Sequence, residues 1–135
     1  MASARLWGRL TRRPEFLRVA ASRRRWATSG LILQAADSPS SAPESPFRLG
    51  FTASRKVGGA VQRNRARRRL RAAAAALMPA HAARGMDYVL VARADTVSRP
   101  YPGLLADLEA ALRRLRLWRE DAETGVSAVG PKEDR

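Results

Sequence analysis

Residues 63–71 constrain the fold of this chain more than any other segment, because six arginines lie within nine positions. They fall inside a helix that we predict over residues 60–78 and that Pro79 would close. At about 100° per residue the apolar side chains share one side of this helix. These are Ala66, Leu70, Ala73 and Leu77. The opposite side carries Asn64, Arg65, Arg68 and Arg71. The edges of that opposite side carry Arg67 and Arg69, and Arg63 falls near the apolar side. This arginine helix is expected to pack through a narrow alanine-rich face.

Charge is distributed unevenly along the chain. Residues 48–84 hold ten lysines and arginines and no acid, whereas residues 85–135 hold eight basic and nine acidic side chains. A GC-rich codon preference would explain 24 arginines against two lysines, but not an acid-free window of 37 residues. Like charges four residues apart destabilise a helix, and a partner that supplies phosphates removes that cost. The distribution indicates a polyanionic partner, with nucleic acid favoured over an anionic membrane surface.

Composition excludes several classes of protein and of site. With 135 residues and 45% hydrophobic side chains, the chain suits one compact domain. It has no cysteine, which excludes a disulfide scaffold and a thiolate zinc site, and no apolar run approaches the roughly 18 residues of a membrane span. The single histidine, His81, is predicted on an alanine-rich loop, and the nine C-terminal acids at solvated positions. We therefore predict neither a catalytic residue nor a metal site in this chain.

The apolar patterns predict one small sheet covered by helices. A first helix follows Pro14 and carries an apolar stripe, which consists of Phe16, Leu17, Ala20 and Ala21. Strands are predicted at residues 31–35, 47–54 and 86–92, with an ambiguous short strand at 23–27 and a last amphipathic helix at 101–118. The order helix, two or three strands, helix, strand, helix predicts an α+β protein, a two-layer α/β sandwich.

Three boundaries follow from composition. We predict a flexible N-terminus at residues 1–8, one domain over residues 9–118 and a disordered tail at residues 119–135. Residues 37–46, which read DSPSSAPESP, are predicted to form a solvated loop inside the domain.

Residues 54–71, which read SRKVGGAVQRNRARRRLR, closely resemble the signature of the bacterial ribonuclease P protein component. The resemblance covers about residues 9–118, since residues 10–19, 87–93 and 101–115 are similar to the family's first helix, last strand and last helix. It implies the order α-β-β-β-α-β-α with about four strands, ribosomal protein S5 domain 2-like. In that fold the crossover through the arginine helix is left-handed, against the usual rule.

The resemblance also implies a function. Ribonuclease P removes the 5′ leader of precursor tRNA by hydrolysing one phosphodiester, and its RNA subunit carries that chemistry with bound Mg²⁺. The protein component would bind the catalytic RNA through the arginine helix and hold the leader in a cleft between the first helix and the sheet. We therefore expect a cytoplasmic subunit of an endoribonuclease, one per catalytic RNA, with no membrane partner and no active site of its own.

The candidate site residues form three groups, of which the RNA-binding group matches the family's motif. The RNA-binding group consists of Arg55, Lys56, Arg63, Asn64, Arg65, Arg67, Arg68, Arg69 and Arg71. The leader-cleft group consists of Phe16, which matches an aromatic residue of the family's cleft, and of Ile32 and Gln34, which lie on the strand face opposite Leu31 and Leu33. The auxiliary basic group, which would add backbone contacts, consists of Arg9, Arg12 and Arg13. Phe16 has a second interpretation, as a core phenylalanine of a short helix. The chain departs from the family pattern at Gly59, Ala20, Gln34 and Ala74, where Asn, an aromatic residue, Tyr and Phe are usual.

Two other classes of protein share part of these features. A general RNA- or DNA-binding protein explains the charge and the arginine helix, but not the ordered match of strands and terminal helix. An organelle-targeted precursor explains the acid-poor residues 1–29, but residues 10–19 already match a folded helix. Attachment to a membrane surface fits less well, because the arginine helix lacks a bulky apolar face.

Overall fold

The structure is a computed structural model that describes residues 7–39 and 46–120. Its strands are β1 (Gly8–Arg9), β2 (Arg24–Ala27), β3 (Leu31–Asp37), β4 (Phe47–Thr52) and β5 (Met86–Ala92), and its helices are α1 (Arg13–Ala21), α2 (Ala60–His81) and α3 (Tyr101–Arg114). The strands form one mixed sheet in the order β1-β4-β5-β3-β2. The predicted α+β sandwich is confirmed, with five strands where about four were predicted. The additional strand is β1, which lies parallel to β4.

The main core lies between one face of the sheet and the helices α2 and α3. Alternate residues of the strands point into it, so that Leu31 and Leu33 of β3 are fully buried. The arginine helix α2 contributes Ala66, Leu70, Ala73, Ala74 and Met78, and α3 contributes Leu104, Leu108, Ala111 and Leu112. Small alanine side chains let the backbone of α2 approach the sheet closely. The predicted narrow packing face of the arginine helix is therefore confirmed for Ala66, Leu70 and Ala73, whereas Leu77 is half-buried and Met78 is buried at the end of the helix.

The opposite face of the sheet is covered only in part, by α1. A small core there consists of Leu10, Val19, Ala36 and Val89, with Phe16 at its margin. The predicted apolar stripe of α1 is wrong in three of its four members, because Leu17, Ala20 and Ala21 are exposed. This nine-residue helix meets the sheet through Phe16 and Val19, which are three residues apart and share a face.

Both long helices end at other residues than predicted. Pro79 does not close α2, because its ring removes only one hydrogen bond in the last turn and the helix continues to His81. His81 therefore lies on the helix and not on a loop, and its ring stacks on Trp118 with centroids 4.1 Å apart. Helix α3 ends at Arg114, four residues early, because Arg116 has φ 62° and the N–H of Leu117 donates to the Leu112 carbonyl at 2.7 Å.

The folded part extends slightly beyond the predicted boundaries. The rings of Trp7 and Phe47 stack with their centroids 6.3 Å apart, and Gly8 pairs with β4. The folded part therefore begins before residue 9. At the other end Arg119 donates through Nε to the Ala82 carbonyl at 2.9 Å. The rest of the predicted flexible N-terminus, loop and tail (residues 1–6, 40–45 and 121–135) lies outside the described residues. No helix among the described residues is long and apolar enough to cross a membrane.

Candidate nucleic-acid interface

The outer surface of α2 carries the basic side chains that the helical periodicity places there. Asn64, Arg65, Arg68 and Arg71 are exposed, whereas Arg63, Arg67 and Arg69 are half-buried. Arg67 donates through Nη2 to Oδ1 of Asn64 at 2.5 Å, which fixes both side chains on one turn. Within the described residues neither Arg65 nor Arg68 forms a hydrogen bond or an ion pair. Their guanidinium groups are therefore available to an external anion.

The turn between β4 and α2 adds two more cations at the beginning of this helix. Arg55 and Lys56 are both exposed there. Gly58 has φ 143°, a conformation that side chains with a Cβ rarely adopt, so the turn requires glycine at this position. This turn places the predicted Arg55 and Lys56 next to the exposed surface of α2.

Arg69 and Arg71 differ from the exposed arginines in their contacts. The Nη2 of Arg69 donates to the Arg99 carbonyl, just before α3, and its Nε is buried without a partner among the described atoms. Arg69 therefore ties α2 to the segment before α3. Arg71 contacts β4 instead, where its guanidinium carbon lies 5.2 Å from the centroid of the Phe51 ring.

The sheet face that α1 covers only in part forms a groove beside α1. Phe16 and Ile32 each line a hollow on this face, and Gln34 lies on the same face. Ile32 is paired with Val91 and Gln34 with Val89, and all lie on the face that α1 covers only in part. Phe16 packs on β4 at Gly50, where an added Cβ would lie 2.5 Å from the Phe16 ring. Phe16 is half-buried, so it is both a packing residue and a wall of the groove.

Basic side chains border this groove. Near Phe16 a small pocket of about 130 Å³ is lined by Arg9 and Arg71 among others. Beyond Ile32 a second hollow of about 440 Å³ is lined by Val57, Lys56 and Arg93, among others. The groove thus has an apolar floor and cationic margins, which suits a single strand of nucleic acid. The auxiliary Arg12 and Arg13 are exposed at the beginning of α1.

An ion-pair network that sequence reasoning missed holds α1 on the sheet. The fully buried carboxylate of Asp87 accepts hydrogen bonds from Arg18, from Ser38 at 2.7 Å and from both Nε and Nη2 of Arg48, at 2.8 and 2.7 Å. Arg48 also pairs with Glu15 at 3.2 Å. Glu15 and Arg18 belong to α1, whereas Arg48 and Asp87 belong to the sheet, so the network joins α1 to the sheet beside the groove.

The network also sets the charge states of its acids. Burial alone raises the pKa of Asp87, but the hydrogen bonds from Arg48 and Ser38 and the positive charges of Arg48 and Arg18 outweigh it, so the pKa lies below its usual value. The backbone N–H of Arg12, 2.9 Å from Oε1, lowers the pKa of Glu15. Both acids are therefore ionised at neutral pH, as the arginines around them require.

The prediction that the C-terminal acids are all solvated is wrong for two of them. Asp87 is fully buried, and Asp107 is 8% exposed, where it accepts hydrogen bonds from the Gly30 N–H at 3.0 Å and from Arg99. One sequence signal could have found Asp87: it is the only polar residue of the apolar strand Met86–Ala92 apart from Tyr88. A charged residue inside a buried strand requires a partner.

Neither buried acid fits a resident Mg²⁺. The carboxylate oxygens of both are occupied by guanidinium donors, which exclude a cation from the same positions. Elsewhere in residues 7–39 and 46–120, no group of three or more acidic or histidine side chains lies close enough together to hold a metal.

Known proteins resemble this chain in sequence and in fold. A model of the family described as Ribonuclease P matches residues 7–116. A ribonuclease P protein component from Paramagnetospirillum magneticum is 57% identical over 110 residues, which are 79% of this chain and 81% of the relative. One from Ruegeria pomeroyi is 50% identical over 107 residues, which are 78% of this chain and 84% of the relative. The solved RNase P protein of Staphylococcus aureus superimposes with a TM-score of 0.67 over 82% of this chain and 97% of that one, at 22% identity. With the arginine helix and the groove in place, these matches establish that the chain belongs to the ribonuclease P protein component family.

Proposed function

We propose that this chain is the protein subunit of a cytoplasmic ribonuclease P, one per catalytic RNA, and that it promotes 5′ maturation of tRNA. In this proposal the exposed surface of α2 binds the catalytic RNA, and the groove beside α1 holds the 5′ leader of precursor tRNA. Family membership supports the assignment of the chain to ribonuclease P. The presence of two separate surfaces supports the assignment of one surface to each RNA.

The observation that carries the proposal is the unpaired cationic surface of α2. Arg65 and Arg68 have no acidic partner among the described residues, although other arginines of the chain are paired with acids. An arginine presents a planar fork of donors that matches the oxygens of a phosphate. Each phosphate contact releases condensed counterions, so binding through such a row weakens steeply as salt rises.

The groove suits a single strand because it combines an apolar floor with cationic margins. The half-buried ring of Phe16 offers its remaining surface to a base, and Val91 and Ile32 continue the apolar floor. Arg9 and Arg71 lie beside Phe16, where they are placed to contact phosphates of the same strand. Because Gln34 offers an amide instead of an aromatic ring, the hold on a base at that position depends on hydrogen bonds.

The chemistry of the reaction is assigned to the RNA. Mg²⁺ bound by the catalytic RNA and the substrate supplies the hydrolytic chemistry. The residues of this chain bind and orient the two RNAs. The exposed surface of α2 before Arg71 fixes the catalytic RNA, and the residues of the groove, with Arg71 at its margin, fix the leader.

Reconstitution of cleavage tests the proposal. The full chain is mixed with a bacterial catalytic RNA and a precursor tRNA at a low Mg²⁺ concentration at which the RNA alone is inactive. We expect the wild-type chain and Arg84→Gln, which removes an exposed arginine outside both surfaces, to restore cleavage. We expect Arg65→Gln/Arg68→Gln to restore it only at higher protein concentration, because two phosphate contacts are lost. Failure of the wild-type chain to restore cleavage, or equal activity of all three proteins, contradicts the proposal.

A second arm tests the groove. Phe16→Leu keeps an apolar residue on Gly50 but removes the aromatic ring. We expect this variant to bind the catalytic RNA normally and to lose much of the preference for precursor tRNA over mature tRNA, by a factor of about ten for one lost stacking contact. An unchanged preference refutes the leader assignment of Phe16.

A further inference from the structure

A second group of arginines lies at the edge of the sheet farthest from β1. Strand β2 forms this edge, and all four of its residues are exposed. Arg24 donates through Nη2 to the carbonyl of Leu115, just after α3, at 3.2 Å. The guanidinium carbon of Arg114 lies 4.4 Å from the centroid of the Trp26 ring. These two contacts join the edge strand to the end of α3.

We name this surface the edge cluster, and it consists of Arg23, Arg24, Trp26, Arg114 and Arg116. All five residues are exposed. Arg23 has φ 64° and Arg116 has φ 62°, a conformation that glycine and asparagine adopt more readily than arginine. Positive charge therefore occupies two exposed turn positions where local backbone preference favours other residues.

The arginines of the edge cluster have no acidic partners in the described part of the chain. The ion pairs there involve Arg18, Arg48, Arg99 and Arg113. The nearest acid of α3, Glu109, is already paired with Arg113 at 2.8 Å. Four guanidinium groups without an acidic partner therefore lie at this edge, one of them against the exposed ring of Trp26, so the edge cluster resembles the exposed surface of α2 in charge and adds an aromatic ring.

Arg24, Trp26 and the end of α3 with Arg114 and Arg116 lie on the same layer as α2, and Arg23 lies at the turn between α1 and β2. Arg24 and Trp26 are paired with Ala35 and Leu33, whose side chains point into the core below α2 and α3. Helix α3 packs between α2 and this edge, since it contacts α2, β3 and β2. The groove beside α1 lies on the other face. A ligand of α2 can therefore continue across α3 to the edge cluster without entering the groove.

We propose that the edge cluster is a second contact surface for the catalytic RNA, an inference that rests on the proposed function. Its arginines bind backbone phosphates, and the uncovered surface of the Trp26 ring contacts an unpaired base. The leader of precursor tRNA is not the ligand of this surface, because the leader is assigned to the opposite face of the sheet.

The test measures how the dissociation constant depends on salt, from about 0.05 to about 0.2 M. The edge variant is Arg23→Asn/Arg114→Gln/Arg116→Asn, in which asparagine suits the left-handed positions. Arg24 is kept because it holds the end of α3. One control, with lysine at the same three positions, keeps the charge; the other is Arg84→Gln. Circular dichroism and urea titration verify that every variant is folded.

For a transcribed bacterial catalytic RNA, we expect the edge variant to lower the slope of log affinity against log salt by about 1 for each lost phosphate contact, hence by about 3. The lysine control keeps the slope, and affinity for precursor tRNA in the absence of catalytic RNA does not change. A slope equal to that of Arg84→Gln overturns the inference, and so does an equal loss on precursor tRNA.

The arginine-helix variant Arg65→Gln/Arg68→Gln separates this inference from the proposed function. If its slope falls and that of the edge variant does not, the inference fails and the proposed function stands. If neither slope falls, the proposed function fails together with the inference.

Discussion

Replacing Asp87 with asparagine removes the negative charge at the centre of the network that holds α1 on the sheet. The carboxylate is fully buried, and the side chain of Arg48 is 11% exposed. Asparagine keeps the size but leaves Arg48 without its buried counter-charge, a change that costs roughly 3–5 kcal/mol when both partners are buried. The second partner, Arg18, is 38% exposed and contributes less. We expect the free energy of unfolding to fall by about 3 kcal/mol.

Urea denaturation of the full chain measures this change. The matched control is Asp95→Asn, which removes the charge of an exposed acid. We expect this control to stay within about 0.5 kcal/mol of the wild type. Arg18→Met is expected to cost about 1 kcal/mol or less, and a double-mutant cycle with Asp87→Asn isolates its coupling. If Asp87→Asn is no more destabilising than Asp95→Asn, the buried ion pair does not stabilise the fold and this reasoning is wrong.

Three further predictions follow from other contacts. Gly50→Ala places a Cβ 2.5 Å from the Phe16 ring and is expected to destabilise the chain by about 1–3 kcal/mol. Urea denaturation measures this change, and wild-type stability of the variant would contradict the close packing. Arg69→Gln breaks the bond to the Arg99 carbonyl and is expected to cost about 1 kcal/mol while the salt dependence of RNA binding stays unchanged; a lower salt slope would place Arg69 in the RNA contact. Because the folded-state pKa of Asp87 is lowered, its stabilisation is present above its unfolded pKa and is lost as pH falls through the folded pKa. Acid titration followed by circular dichroism is therefore expected to show unfolding below about pH 4, with Asp87→Asn less sensitive to acid.

Local patterns predicted the parts of the fold that repeat along the chain. Strand β4 and the apolar side of α2 were predicted apart from their last residues, because each depends on the geometry of a single element. The placement of Ile32 and Gln34 on the groove face was predicted from the alternation of side chains along β3. The placement of the exposed Arg65 and Arg68 followed from helical periodicity.

Contacts between distant segments could not be predicted in this way. Asp87 is buried because Arg48 and Arg18, 39 and 69 residues away in sequence, meet it across the sheet. Arg69 turns inward because a carbonyl 30 residues later lies within its reach. Helical angle alone cannot distinguish such an arginine from its neighbours in solvent.

Chain ends and helix ends were predicted least well. The short strand β1 has only two residues and thus no periodicity to detect. Helix α3 is followed by Arg116, whose backbone adopts the left-handed conformation that glycine usually adopts at a helix end. A glycine at this position would have signalled the end of the helix.

The central claim is that the exposed arginines of α2 persist on the surface because they bind the phosphates of the catalytic RNA. It is tested most directly by the affinity of the full chain for a bacterial catalytic RNA across a salt series, wild type against Arg65→Gln/Arg68→Gln. We predict that wild-type affinity falls steeply with salt and that the slope of the double variant is shallower by about 2. Affinity that does not respond to salt, or equal slopes for the two proteins, would contradict the claim.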